Sequence, residues 1–101
     1  MKYGFSLLAF ACTSAAAQPF PAERIKQGAE LYETHCQTCH GARLANPPWA
    51  ADLRQFPRED HARFVDTVTY GRRGMPPWED VLKPEDIEAL WAYVVAGEER
   101  K

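Results

Sequence analysis

The sequence predicts one small all-α domain, and three observations lead there. Apolar residues recur at helical spacing in three segments: Ile25, Gly28, Leu31, Tyr32 and His35; Phe64, Val65 and Val68; Ile87, Leu90, Trp91 and Val94. No stretch alternates apolar and polar residues as a half-buried strand would. The pentapeptide Cys36-Gln37-Thr38-Cys39-His40 closes the first of the three segments. At 101 residues the chain is near the size where an apolar core alone stabilises weakly. A motif that can fasten a large apolar group therefore bears on the fold as well as on chemistry.

Taken in order, Gln18-Pro19-Phe20-Pro21 is an extended lead, and Pro21 or Ala22 opens a first helix that runs to about His35. Gly28 costs that helix about 1 kcal/mol against alanine. Close approach of another helix explains it best. Residues 41–49 read as a loop from their turn formers, and Ala50-Ala51-Asp52-Leu53 as a short turn. Pro57 is expected to begin a second helix, through Phe64, Val65 and Val68, that Gly71 stops. Residues 70–78 form a loop rich in Gly and Pro. Pro84 suits the first position of a last helix, Glu85 and Asp86 favour its positive end, and Gly97 ends it. Glu98-Glu99-Arg100-Lys101 reads as a solvated tail.

The pentapeptide is C-x-x-C-H, the signature for covalent attachment of a c-type haem. Two thiols three positions apart can each form a thioether to a haem vinyl group, which assigns Cys36 and Cys39. The next residue, His40, is then held under the iron as its proximal ligand. Zinc would need a second Cys/His pair at ligand spacing, and His35 and His61 do not make one. A redox C-x-x-C would need a βαβ context that is not visible. The ring of a ligating histidine usually donates its other proton to a neighbouring acceptor. The carbonyl of Pro47 or of a neighbour is a candidate; the other reading is that Pro47-Pro48 only stiffens the loop.

Met75 lies 35 residues after His40, between Gly74 and Pro76-Pro77. That setting does not suit an ordinary core methionine. A thioether is a soft ligand for low-spin haem iron, so Met75 is the expected second axial ligand. His61, on the second helix, is a spare histidine read as a surface residue.

Residues 1–17 read as a cleavable signal peptide: Lys2, a short apolar run over residues 5–11, and Ala15-Ala16-Ala17 as the cleavage site. The domain proper is then residues 18–101, exported to the periplasm and without a membrane span. Cys12 falls in the leader; Ala9-Phe10-Ala11-Cys12 lacks the leucine usual in a lipidation site. Removing the leader leaves 11 basic against 14 acidic side chains, a formal charge of −3, which argues against nucleic acid as a partner.

On these residues the chain resembles the class I (monohaem) cytochrome c family from about Ala22 to Gly97. The resemblance rests on Gly28 and Tyr32 before the haem motif, then Met75, then Leu90-Trp91-Ala92-Tyr93. It implies that the first and last helices cross near the glycine and the aromatic pair. A narrower likeness is to the cytochrome domain of quinohaemoprotein alcohol dehydrogenases, carried by Pro48-Trp49-Ala50-Ala51-Asp52-Leu53-Arg54 and Gly74-Met75-Pro76-Pro77-Trp78-Glu79-Asp80-Val81-Leu82. Those proteins carry pyrroloquinoline quinone in a separate propeller domain, which is not visible in this sequence. The resemblance implies a monomeric electron carrier with one covalent haem c and no reaction of its own. Its expected donor is a pyrroloquinoline quinone (PQQ) dehydrogenase and its expected acceptor an oxidase or another cytochrome. Two other functions remain: a permanently bound subunit of a dehydrogenase or oxidase, and a small haem enzyme such as a peroxidase.

Overall fold

The computed structural model describes residues 20–45, 48 and 50–99. The expected signal peptide, Cys12 and Pro47 lie outside the described residues. The described chain is helical: α1 (Ala22–His35), a four-residue α2 (Gln37–His40), 3-10 turns at Ala42–Leu44 and Leu53–Gln55, α3 (His61–Tyr70) and α4 (Pro84–Ala96). Among the described residues there is no strand, only one isolated antiparallel bridge between Arg72 and Met75.

The helix ends follow local chemistry. The Pro21 carbonyl accepts the amides of Arg24 (3.0 Å) and Ile25 (3.2 Å) and starts α1. The second long helix begins at His61, one turn later than Pro57 suggests. Residues 57–60 close a turn instead, with the Asp60 amide on the Pro57 carbonyl at 3.1 Å. Asp60 then caps α3, its carboxylate accepting from the Arg63 amide at 3.4 Å. In α4, Pro84 occupies the first turn and the Lys83 amide donates to Asp86 Oδ2 at 3.0 Å. Gly97 closes it, donating to the Tyr93 carbonyl at 2.7 Å.

The core is built on α4. Its expected face of Ile87, Leu90, Trp91 and Val94 is buried, and so are Ala89, Ala92, Tyr93 and Val95. The helix is covered nearly all round because α1 packs on one flank and α3 on another. The α1 contact is the close approach that Gly28 implies. A Cβ built there would overlap the Ala89 carbonyl oxygen and lie 2.8 Å from Tyr93 Cβ. Tyr32 sits a helical turn further on, its ring centroid 5.2 Å from that of Tyr93. On the α3 side Phe64 lies 5.1 Å from Trp91, and Phe56 bridges both rings edge-on at 5.8 and 5.9 Å.

Of the expected solvated tail, Glu99 is exposed but Glu98 is not, and Arg100 and Lys101 lie outside the described residues. Glu98 is only 16% exposed, with its carboxylate between Arg43 Nη2 at 3.2 Å and the Tyr93 hydroxyl at 2.9 Å. Sequence periodicity cannot see this clasp, because its partners lie 55 and 5 residues away. No described helix is long and apolar enough to cross a membrane.

Candidate functional site

The junction of α1 and α2 sets out the motif residues. α1 ends with the Cys36 amide on the Tyr32 carbonyl (2.8 Å), and α2 restarts at once, with His40 N–H on the Cys36 carbonyl (2.9 Å). Gly41 then turns the chain at φ +85°. There the Tyr32 hydroxyl donates to the Gly41 carbonyl. Cys36 is half-buried and Cys39 exposed, and the two thiols are free. Burial, with some repulsion from Cys39, pushes the Cys36 thiol up to about 11.

Cys36, Cys39 and His40 line a cavity of about 670 Å³. Its wall continues through Ala50, Ala51 and Phe56, along Arg63 and Thr67 of α3, and across Arg72, Arg73, Gly74, Met75 and Pro76. His35 and Trp78 complete it, their rings in edge contact at 5.3 Å. The chain thus brings the four residues singled out by sequence to one cavity.

The histidine geometry suits a ligand. Nδ1 of His40 lies 3.2 Å from the Ala51 carbonyl. With its proton on Nδ1, the ring donates to that oxygen and leaves the Nε2 lone pair free. Burial lowers the His40 pKa, only partly offset by the Ala51 bond, so the ring favours the neutral, ligating form. Ala51 is thus the acceptor among the described residues.

Met75 stands on a tightly anchored turn. Arg72 and Met75 exchange both backbone hydrogen bonds at 2.9 Å. Further on, the Trp78 and Glu79 amides donate to the Val68 and Thr69 carbonyls at the end of α3 (2.9 and 3.3 Å). Gly71 is required where the loop leaves α3. Its φ is +79°, and a Cβ would meet the Met75 carbonyl oxygen at 2.7 Å and the Pro77 nitrogen at 2.8 Å.

The charges on the wall are one-sided. Arg63, Arg72 and Arg73 line the cavity, and among the described residues no Asp or Glu does, in a chain whose formal net charge is −2. Arg63 is pre-set: its guanidinium carbon lies 4.6 Å from the Phe56 ring centroid and Nε 3.5 Å from Asp60. Arg63 and Thr67 escaped the sequence reading, although their i, i+4 spacing places them on one face of α3 beside the Phe64–Val68 stripe. Phe56 gave no periodic signal. His61 stays off the cavity wall. Its Nε2 lies 2.8 and 2.9 Å from the Glu88 carboxylate oxygens and its ring 5.3 Å from Trp91.

Among the described residues no group of three His, Cys, Asp or Glu side chains could hold a metal ion unaided. The donor set is two thiols at thioether spacing, a neutral imidazole and a thioether around an apolar-walled cavity. It fits a covalently attached haem, and fold and site together define a c-type electron-transfer domain.

Comparison with known proteins agrees. A family model described as cytochrome c oxidase, cbb3-type, subunit III matches residues 23–94. Cytochrome c6 of a Nostoc species is 32% identical over 103 aligned positions, covering 94% of this chain and 93% of that protein. The chain belongs to the class I cytochrome c family, whose cofactor is haem c. Quinohemoprotein alcohol dehydrogenase ADH IIB of Pseudomonas putida is 31% identical over 118 aligned positions, covering 97% of this chain but 17% of that protein. The cbb3-type cytochrome c oxidase subunit FixP of a Bradyrhizobium species is 37% identical over 73 positions, covering 66% of this chain and 25% of that subunit. This chain therefore spans only a small part of these two relatives.

Proposed function

We propose that this cytochrome is a periplasmic carrier of single electrons. Cys36 and Cys39 hold the haem through thioethers, and His40 and Met75 are its axial ligands. One observation carries the reading: the Met75 thioether and the C-x-x-C-H segment line the same cavity. When bound, haem supplies a one-electron iron couple. The chain's part is to fix both axial positions, exclude water with Phe56, Trp78 and the Met75 turn, and leave an arginine-lined rim toward partners. With both positions taken, substrate binding at the iron is disfavoured, so the protein acts as a carrier and not as a peroxidase.

The test of ligation is spectroscopic. The oxidised holoprotein should show the weak near-infrared sulfur-to-iron band, and Met75→Ala should lose it and fall in potential. Absence of the band in the wild type at neutral pH would leave Met75 without its role.

The donor in this reading is a periplasmic quinoprotein dehydrogenase, and the acceptor a terminal oxidase or another cytochrome. Likeness to a quinohemoprotein alcohol dehydrogenase supports the donor class, and the signal-like pattern of Lys2, the apolar run over residues 5–11 and Ala15-Ala16-Ala17 supports export. Stopped-flow reduction by a substrate-reduced quinoprotein dehydrogenase from the same organism tests it. Reduction should be fast, slow with added salt, and slow again in Arg72→Glu/Arg73→Glu. A rate no higher than that of an unrelated cytochrome would remove the donor assignment. The second reading is a fixed subunit, favoured by the matches inside larger redox proteins. Size-exclusion chromatography separates the two, since a diffusing carrier elutes as a monomer.

A further inference from the structure

We propose that Arg54 is a positioning residue that holds the His40–Ala51 hydrogen bond and thereby sets the reduction potential; this rests on the reading of His40 as an axial ligand.

The geometry is a frame with two sides. One side is the turn that follows His40, in which Gly41 accepts from the Tyr32 hydroxyl and Arg43 is tied to Glu98 at 3.2 Å. The other side is the turn that follows Ala51. There Asp52 Oδ1 accepts the Arg54 amide at 3.0 Å, and the Asp52 carbonyl accepts the Gln55 amide at 3.0 Å. Arg54 Nη2 joins the two sides by donating to the Arg43 carbonyl at 2.8 Å. The His40 Nδ1 to Ala51 contact, at 3.2 Å, spans this frame. Arg54 is half-buried, with its Nε shielded from solvent while Nη2 reaches across to the Arg43 carbonyl. The Ala51 carbonyl directly precedes the short turn that Arg54 ties to the Arg43 carbonyl.

The consequence has a definite sign. A hydrogen bond from Nδ1–H makes the imidazole a stronger electron donor and favours ferric iron. Loosening the frame weakens that bond, so the potential should rise. Loss of a nearby cation acts oppositely, because it removes repulsion of the ferric charge and lowers the potential. Positioning and plain electrostatics therefore predict opposite shifts for the same substitution.

The experiment uses holoprotein of Arg54→Met and Arg54→Lys, with Arg63→Met as the control for losing a cation. Potentials are read by spectroelectrochemistry. Solvent exchange of the His40 Nδ1 proton is read by NMR in the reduced state. Arg54→Met should raise the potential and speed exchange by about tenfold, as for one lost hydrogen bond of ordinary strength. Arg54→Lys keeps the charge but not the fork, and should shift both readouts the same way by less. Arg63→Met should lower the potential with exchange unchanged. A lowered potential with unchanged exchange in Arg54→Met overturns the proposal. If Arg54→Met does not accumulate as holoprotein, Arg54→Lys decides: unchanged exchange and potential overturn it. Failure of the parent reading shows separately, as a wild-type spectrum without iron-bound imidazole resonances.

Discussion

Gly28 shows how much one missing side chain can hold in place. Its Cα hydrogens face the Ala89 carbonyl, and there is no room for a methyl. Because the obstacle is backbone, it cannot swing aside as a flexible side chain would. Gly28→Ala should therefore destabilise the holoprotein by about 3 kcal/mol, despite the gain in helix propensity. Denaturant unfolding followed by Trp fluorescence measures this, and a neutral or stabilising result would refute the close approach. Gly28, Cys36, Cys39, His40 and Met75 were legible in the sequence because residue type and spacing alone single them out. The Ala51 carbonyl was not, because a backbone acceptor has no residue-type signature, and the sequence offered Pro47 or a neighbour only as one of two open readings. Arg63 and Thr67 were hidden differently: a polar stripe on a helix looks like a solvated face until something is known to lie over it.

Among the elements, α4 and its end carry the clearest pH behaviour. Burial works to raise the Glu98 pKa, but bonds from Arg43 and Tyr93 outweigh it and hold the carboxyl below its ordinary 4.5. The stabilisation is present above that value and is lost as pH falls through the lower folded value. Glu98→Gln should flatten the acid limb of a thermal-stability profile. At the other extreme, burial, chiefly, pushes Tyr32 up to about 12 and holds Tyr93 higher still. In the unfolded chain a tyrosine ionises near 10, so stability is full below pH 10 and is lost as pH rises through the folded values. Tyr93→Phe should blunt that alkaline loss; an identical profile would mean that the ring is more open than its 4% exposure implies. The order of helices was readable from periodicity and breakers. The start of α3 was not, because Pro57 and Asp60 are both competent starts, and the side-chain cap at Asp60 decides between them.

At the scale of the whole molecule, the haem cavity of about 670 Å³ is walled mainly by apolar surface, which faces water when nothing fills it. The variant Cys36→Ser/Cys39→Ser, made without haem, should thus lose fixed tertiary packing. Near-UV circular dichroism should vanish while part of the far-UV helical signal remains. A native near-UV spectrum in that variant would show that the helices need no cofactor.

The anchored Met75 turn has one more consequence, for toxicology. Both ends of the turn are tied down by backbone bonds, and two prolines follow the methionine. With Met75 as the proposed axial ligand, a sulfur that let go of the iron would be held close by and return at a high effective concentration, of order millimolar for short tethers and more for stiff ones. Cyanide, carbon monoxide or nitric oxide must outcompete that leash at every attempt. If the acceptor is a terminal oxidase, as proposed, a carrier held in this way would stay in working order upstream of an oxidase blocked by such a poison.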